Sequence, residues 1–261
     1  MNDRAVTPSL GFILMFAVII STAVLVSVVG IDQIENFRDA QEVNNAERSI
    51  QLVKSNVDEI REGRAVARSG EIDLDQGRLD VVSGSSSQIR IRVENTTTGP
   101  DHLSVYDETV EMGGLRYRLG DTAVGYEGGA VFRGDERTGA VVQATPSFAC
   151  TDDRALLSVV TLEQDRDRQL GAGIVTLTVE RNATTVEFPA NRSGTNSTVG
   201  RANVSVEVVD SPFRAGWERY FVEQPGWQAT GSGEFVCAGP SDNGVDSYRV
   251  VRTRVIVSFT R

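Results

Sequence analysis

Hydrophobic residues dominate the start of the chain. From Leu10 to Ile31 the sequence LGFILMFAVIISTAVLVSVVGI contains no charged residue across 22 positions. At about 1.5 Å per residue, a helix of this length is roughly 33 Å long, which is enough to cross the hydrocarbon core of a membrane. The pattern therefore predicts a transmembrane helix over residues 6–31.

A second, amphipathic helix is predicted over residues 32–63. Apolar residues recur at spacings of three and four along one face, while charged residues occupy the other positions. This apolar seam comprises Val43, Ala46, Ile50, Val53, Val57 and Ile60. We expect the upper half of this stalk helix to pack on the protein's own globular domain and the lower half on neighbouring subunits. Alternatively, residues 43–60 only cover the sheet of the domain, or pair in a dimer.

Short alternating runs replace the helical period from Glu71 onward, and glycine-containing turns separate them. The clearest runs are QIRIRVE (88–94), GLRYRLG (114–120), GIVTLTVE (173–180), NVSVEVV (203–209) and YRVVRTRVIVSF (248–259). Many short strands at such spacing are typical of an antiparallel sandwich. The predicted fold class is α+β: a long N-terminal transmembrane and stalk helix, then a mainly antiparallel β-sandwich-like domain over residues 71–261.

One stretch within the β-rich part has a helical period. In SPFRAGWERYFVEQPGW, Ser211 is the expected N-cap and Pro212 the first helical residue. The aromatic residues then recur at helical spacing, as Phe213, Trp217, Tyr220 and Phe221. We predict a short amphipathic helix laid on the sheet with this stripe in the core, although the stripe would also suit a contact with another subunit.

Composition limits the classes of partner. The net charge of −10 argues against nucleic acid, because binding to phosphates requires a basic surface. Lys54 is the only lysine among the 26 basic residues. An acidic excess with so little lysine indicates a halophilic source, since net charge and hydrated carboxylates keep proteins soluble in high salt. The alternative is an arginine-rich genome of high GC content, which would also explain the lysine shortage.

The segment RAVTPSLGFILMFAVII (4–20) resembles the processing site and N-terminal helix of archaeal type IV pilins, especially those of halophilic archaea. The matching features are Arg4 and Ala5 before the cut, Val6, Thr7 and Pro8 after it, and the apolar run behind them. The resemblance covers some 25 residues. Bacterial pilins carry a glutamate at the fifth mature position, which is Leu10 here.

The resemblance implies a function. Residues 1–5 would be a class III signal peptide, cut between Ala5 and Val6 by a prepilin peptidase. The retained helix would serve first as membrane anchor and then as filament core, in contact with pilin-like subunits. The protein would then be a structural subunit, in the manner of a minor pilin, of a type IV pilus-like surface filament. Its N-terminus would be cytoplasmic and its C-terminal domain extracellular, in line with the charges that flank the apolar run.

Two other interpretations of the N-terminus remain open. A cleavable secretory signal fits less well, because its apolar region is usually only about 7–15 residues long. A plain signal-anchor would make the protein a single-span, membrane-anchored extracellular ligand-binding domain that does not polymerise.

Cys150 and Cys237 are the only cysteines, and they lie in the part predicted to be extracellular, where a disulfide can form. The alternatives are two buried thiols, or two cysteines too far apart to form a bond. N-glycosylation sequons occur at five positions, which is more than chance predicts: Asn95, Asn182, Asn191, Asn196 and Asn203. Four of them lie between residues 182 and 205, around a stretch that has the composition of an exposed polar loop.

Catalytic chemistry is not indicated, and we predict neither an enzyme nor a cofactor. His102 is the only histidine, and no nucleophile motif accompanies it. The carboxylate pairs Asp152–Asp153 and Asp165–Asp167 are expected to be solvated, and Asp242 and Asp246 match no calcium loop. YEGGAVFRG (126–134) is better explained as a glycine hairpin than as a phosphate-binding loop, because strand-forming residues follow its glycines.

Overall fold

The computed structural model of the protein describes residues 6–96, 103–135, 139–164, 169–189, 200–231, 233–240 and 243–260. The chain divides into two compact units, Met1–Glu42 and Val43–Arg261. Helix α1 (Val6–Arg61) belongs to the first unit as far as Glu42 and to the second from Val43 onward.

The other elements all lie in the second unit. In chain order they are β1 (Ala67–Val82), a 3₁₀ turn (Gly84–Ser86), β2 (Gln88–Asn95), β3 (Leu103–Glu111), β4 (Gly114–Leu119), β5 (Thr122–Glu127), β6 (Ala130–Asp135), β7 (Gly139–Ala144), β8 (Ser147–Cys150), β9 (Arg154–Gln164), β10 (Gln169–Phe188), β11 (Ala202–Asp210), α2 (Arg214–Glu223), β12 (Trp227–Gly231), β13 (Glu234–Cys237) and β14 (Ser247–Thr260).

The predicted fold class is wrong. The structure is mostly β, with 57% strand, and none of its described helices is both long enough and apolar enough to cross a membrane.

The strands form two sheets. The first, sheet A, has nine strands in the order β7-β6-β5-β4-β1-β10-β14-β9-β8, and the second, sheet B, has five in the order β12-β13-β11-β2-β3. Neighbouring strands within the described residues are antiparallel, except that β9 and β14 are parallel. The five alternating runs singled out in the sequence coincide with the strands β2, β4, β10, β11 and β14, although the run at 114–120 ends one residue beyond β4. Their order was not predictable, because β1, β10 and β14 pair across long separations in sequence.

The C-terminal part of α1 packs on sheet A. All six seam residues from Val43 to Ile60 are at most 4% exposed. They share one core cluster with inward-facing residues of the sheet, among them Leu74 and Leu177. Arg133 of β6 donates to Glu47 over 3.1 Å and adds a polar contact at the edge of this interface. Of the arrangements proposed for residues 43–60, the structure has the one in which they cover the protein's own sheet.

A second core fills the space between the two sheets and includes α2. Its aromatic stripe is buried: the Trp217 ring lies 5.0 Å from Phe132 of sheet A, and the Phe221 ring 4.8 Å from Phe235 of sheet B. The helix begins at Arg214, two residues later than predicted. The Ser211 hydroxyl accepts a hydrogen bond from the Phe213 backbone N–H, so it caps a turn before the helix.

Candidate assembly surface and the predicted sites

The N-terminal half of α1 exposes a continuous apolar surface. Every residue from Leu10 to Val26 is exposed, and we call this segment the apolar surface. Its large apolar side chains are between 48% and 71% exposed: Leu10, Phe12, Ile13, Leu14, Met15, Phe16, Val18, Ile19, Ile20, Val24, Leu25 and Val26. The Thr22 hydroxyl donates to the Val18 carbonyl over 2.9 Å, so this polar group is satisfied within the helix.

The apolar surface extends around the whole helix. Successive residues are rotated by about 100°, so the five consecutive large residues from Phe12 to Phe16 point in all directions. A single partner would cover only one side. Several apolar neighbours are therefore required to remove this surface from water.

The energy available from such contacts is large. Complete burial of a large apolar side chain contributes about 1.5–3 kcal/mol, so covering twelve that are roughly half exposed contributes on the order of 10–20 kcal/mol. Association itself costs about 4–15 kcal/mol in lost translational and rotational freedom. At the midpoints of these two ranges, burial of the apolar surface outweighs the cost of association.

The predicted cleavage site lies at the start of α1. Val6 is the first residue of the helix. Ala5 lies outside the described residues, so the structure does not describe the peptide bond between Ala5 and Val6.

The two cysteines form a disulfide. Cys150 ends β8 at the edge of sheet A, Cys237 ends β13 in sheet B, and their Cα atoms are 5.8 Å apart. The bond therefore links the two sheets across a separation of 87 residues in the chain.

Three of the five sequons lie in strands. Asn95 ends β2, Asn182 lies in β10, and Asn203 lies in β11 between β2 and β13. The Asn182 amide donates to Glu163 over 3.0 Å, and the Asn203 Oδ1 atom is buried. Asn191 and Asn196 lie outside the described residues. The Asn182 side chain thus bonds to a neighbouring strand, and the Asn203 side chain is partly buried within its sheet. The sequence pattern indicated neither feature.

The structure describes only some of the residues considered for catalysis or metal binding. His102, Asp165, Asp167 and Asp242 lie outside the described residues. Asp153 accepts from the Thr151 hydroxyl over 2.9 Å. Asp246 pairs with Arg201 at 2.7 Å, and this hydrogen bond lowers the pKa of Asp246. Across the described part of the chain, no three histidine, cysteine or carboxylate side chains are grouped so that they could hold a metal ion.

The glycine motif joins two strands. Gly128 and Gly129 connect β5 to β6 with φ values of 60° and 98°, which residues with a Cβ rarely adopt. The motif is a tight hairpin in sheet A.

Sequence reasoning missed Glu127, which precedes this hairpin and is completely buried. Its Oε1 atom accepts hydrogen bonds from the Ser211 hydroxyl at 2.6 Å and from the Trp217 indole N–H at 2.7 Å. Burial raises the pKa of Glu127 to about 7, while Ser211, Trp217 and Ser87 oppose the shift. A glutamate beside a glycine turn is ordinarily solvated, so only the packing of α2 over the hairpin reveals this site.

The burial of Glu127 predicts a dependence of stability on pH. A carboxyl whose pKa is raised on folding stabilises the fold below its unfolded value of 4.5, and this contribution is lost as pH rises through about 7. At about 1.4 kcal/mol per pKa unit, we expect this group to lower the free energy of unfolding by about 3 kcal/mol between pH 4.5 and pH 8. Urea unfolding at several pH values measures this change in the free energy of unfolding.

Glu127→Gln is the matched control, because the amide oxygen still accepts from Ser211 and Trp217 but does not titrate. The variant should lack this part of the pH dependence. Identical pH profiles for the two proteins would show that Glu127 does not titrate in this range.

Comparison with known proteins gives a family but no characterised relative. A family model described as a family of unknown function, DUF7289, matches residues 4–258. No curated protein and no solved structure matches the chain. The family match includes both the apolar surface and the two-sheet domain, and the chain therefore belongs to DUF7289.

Proposed function

We propose that this protein is a structural subunit of a surface filament of the archaeal type IV pilus kind. In this proposal a prepilin peptidase removes residues 1–5, and the apolar surface of α1 packs against the same surface of neighbouring copies. The two-sheet domain is carried on the outside of the filament.

The apolar surface carries the proposal. Apolar side chains face every direction from Leu10 to Val26, so they need partners on all sides. A closed dimer covers one face of each helix, whereas a helical array of subunits surrounds each helix with others. Identical copies supply a matching apolar surface without a further component.

The remainder of the chain is consistent with a structural role. The two-sheet domain covers the C-terminal part of α1 itself, so this domain can remain folded while the N-terminal part engages other subunits. The disulfide supports export, because disulfides persist in oxidising compartments.

Assembly is tested by placing a charge on the apolar surface. Phe16→Glu puts a carboxylate on a side chain that is 58% exposed, and it should reduce the chain in sheared surface filaments at least about tenfold, because burying an unpaired charge between apolar helices is costly. Electron microscopy and quantitative mass spectrometry of the filament fraction measure the effect. Mass spectrometry of the same fraction should find Val6 as the first residue.

Val222→Glu is the matched control. Val222 is an exposed apolar residue of α2 that is 68% exposed, and it lies outside the apolar surface. This variant should remain in the filaments. A filament fraction that lacks the chain, an intact Met1, or equal incorporation of both variants would contradict the proposal, as would a protein found only as lipid-bound monomers.

A further inference from the structure

A groove lined by arginine side chains lies on the face of sheet A that points away from α1, beside the segment that leads into α2. Two adjoining cavities of about 640 Å³ and 310 Å³ form it, and both have Arg116, Arg118, Ser211 and Pro212 in their walls. We call this the arginine groove. Cavities of about 300–1,000 Å³ accommodate small ligands.

Arg118 has its counterion within the protein. Asp80 lies on the neighbouring strand β1 and is 6% exposed. Its Oδ2 atom accepts two hydrogen bonds from the Arg118 guanidinium, at 2.9 Å from Nε and 2.6 Å from Nη2. The Arg118–Asp80 pair therefore forms a neutral wall of the groove.

Arg116 differs in this respect. Its Nη2 atom is 3.9 Å from the Asp80 oxygen that already accepts from Arg118, which is too far for a hydrogen bond. Its side chain is 30% exposed toward the groove. No described residue accepts a hydrogen bond from the Arg116 guanidinium, and its Nε atom is buried. Asp80 faces it only across the 3.9 Å ion pair, so the planar fork still offers terminal N–H groups to a carboxylate in the groove.

The other groups around Arg116 identify the kind of ligand. Ser83 and Ser86 contribute hydroxyls to the wall, and Asp210 contributes an exposed carboxylate. A hydroxyl can donate or accept, whereas a carboxylate accepts hydrogen bonds from hydroxyls and repels an anion. A ligand that combines one carboxylate with several hydroxyls matches this lining better than a simple inorganic anion does.

We propose that the arginine groove binds an acidic oligosaccharide, with a uronic acid carboxylate on Arg116 and sugar hydroxyls on the serine and Asp210 side chains. The two cavities share four of their lining residues, so together they have room for a short chain of sugars rather than for one sugar. This proposal goes beyond the structural role of the protein and does not depend on assembly through α1.

Binding is tested with the full chain, kept dispersed in a non-ionic detergent, by titration calorimetry with trigalacturonate. Maltotriose and inorganic sulfate are the comparison ligands. We expect saturable binding of trigalacturonate and at least about tenfold weaker binding to Arg116→Gln, because a charge-assisted pair with the carboxylate is lost. Arg116 bonds nothing within the protein at hydrogen-bond distance, so this variant should keep the wild-type circular dichroism spectrum and unfolding midpoint.

Arg249→Gln removes the same charge from an exposed residue of β14 that does not line the groove. It should bind trigalacturonate as the wild type does. Equal losses in both variants would show nonspecific attraction and overturn the proposal. Equal affinity for sulfate or for maltotriose, or no saturable binding of trigalacturonate up to about 10 mM, would overturn it as well.

Discussion

Replacing Cys150 and Cys237 together by serine is expected to lower the free energy of unfolding by about 4–5 kcal/mol. The disulfide closes a chain segment of 87 residues, and opening a loop of that size returns this much conformational freedom to the unfolded chain in the loop-entropy model. The bond is also the only disulfide that can join β8 of sheet A to β13 of sheet B, because the chain has no other cysteine. Urea unfolding of the full-length protein under oxidising conditions measures the loss.

A reductant provides the control for this prediction. Dithiothreitol should destabilise the wild-type protein by a similar amount and leave the double serine variant unchanged. A wild-type protein whose unfolding midpoint does not respond to reduction would show that the disulfide contributes no stability.

Ile50→Ala is expected to lower the free energy of unfolding by about 4 kcal/mol. Ile50 lies in the middle of the seam, is fully buried and packs in the core between α1 and sheet A. Truncation removes three side-chain carbons from a site enclosed by a helix and a sheet, where collapse is limited, and such substitutions cost about 2–5 kcal/mol. The same urea unfolding experiment measures this change.

Leu52→Ala is the matched control, because Leu52 lies two residues further along the same helix but is 49% exposed. It should cost less than about 1 kcal/mol, since surface substitutions usually have small effects. Comparable losses at both positions would contradict the assignment of Ile50 to the core, and would favour a seam that packs on another copy of the chain.

The local elements were largely predictable from the sequence. The three-and-four spacing from Val43 to Ile60 identified the buried face of α1 correctly, because an α-helix places such residues on one side. The alternation in QIRIRVE and YRVVRTRVIVSF likewise located β2 and β14, because side chains alternate between the faces of a strand.

The long-range pairings were not predictable. β1 pairs with β10, and β9 lies parallel to β14, across separations about which local sequence carries no information. The transmembrane prediction was wrong, because no described helix is both long enough and apolar enough to cross a membrane.

The candidate sites also differ in whether the sequence could predict them. The apolar surface was visible in the sequence because it is continuous along the chain. Glu127 and Arg116 were not, since the properties of each depend on neighbours from distant segments. Ser211 and Trp217 bind the Glu127 carboxylate, and Asp80 bonds to Arg118 rather than to Arg116.

The sequence by itself determined the helical period of α1, the positions of five of the fourteen described strands, the aromatic stripe of α2 and the apolar character of the N-terminal segment. All of these depend on neighbours within a few residues. The tertiary structure alone decided the strand order, the burial of Glu127 and the arginine groove. These depend on which distant segments meet, and that choice reflects the packing of the whole domain.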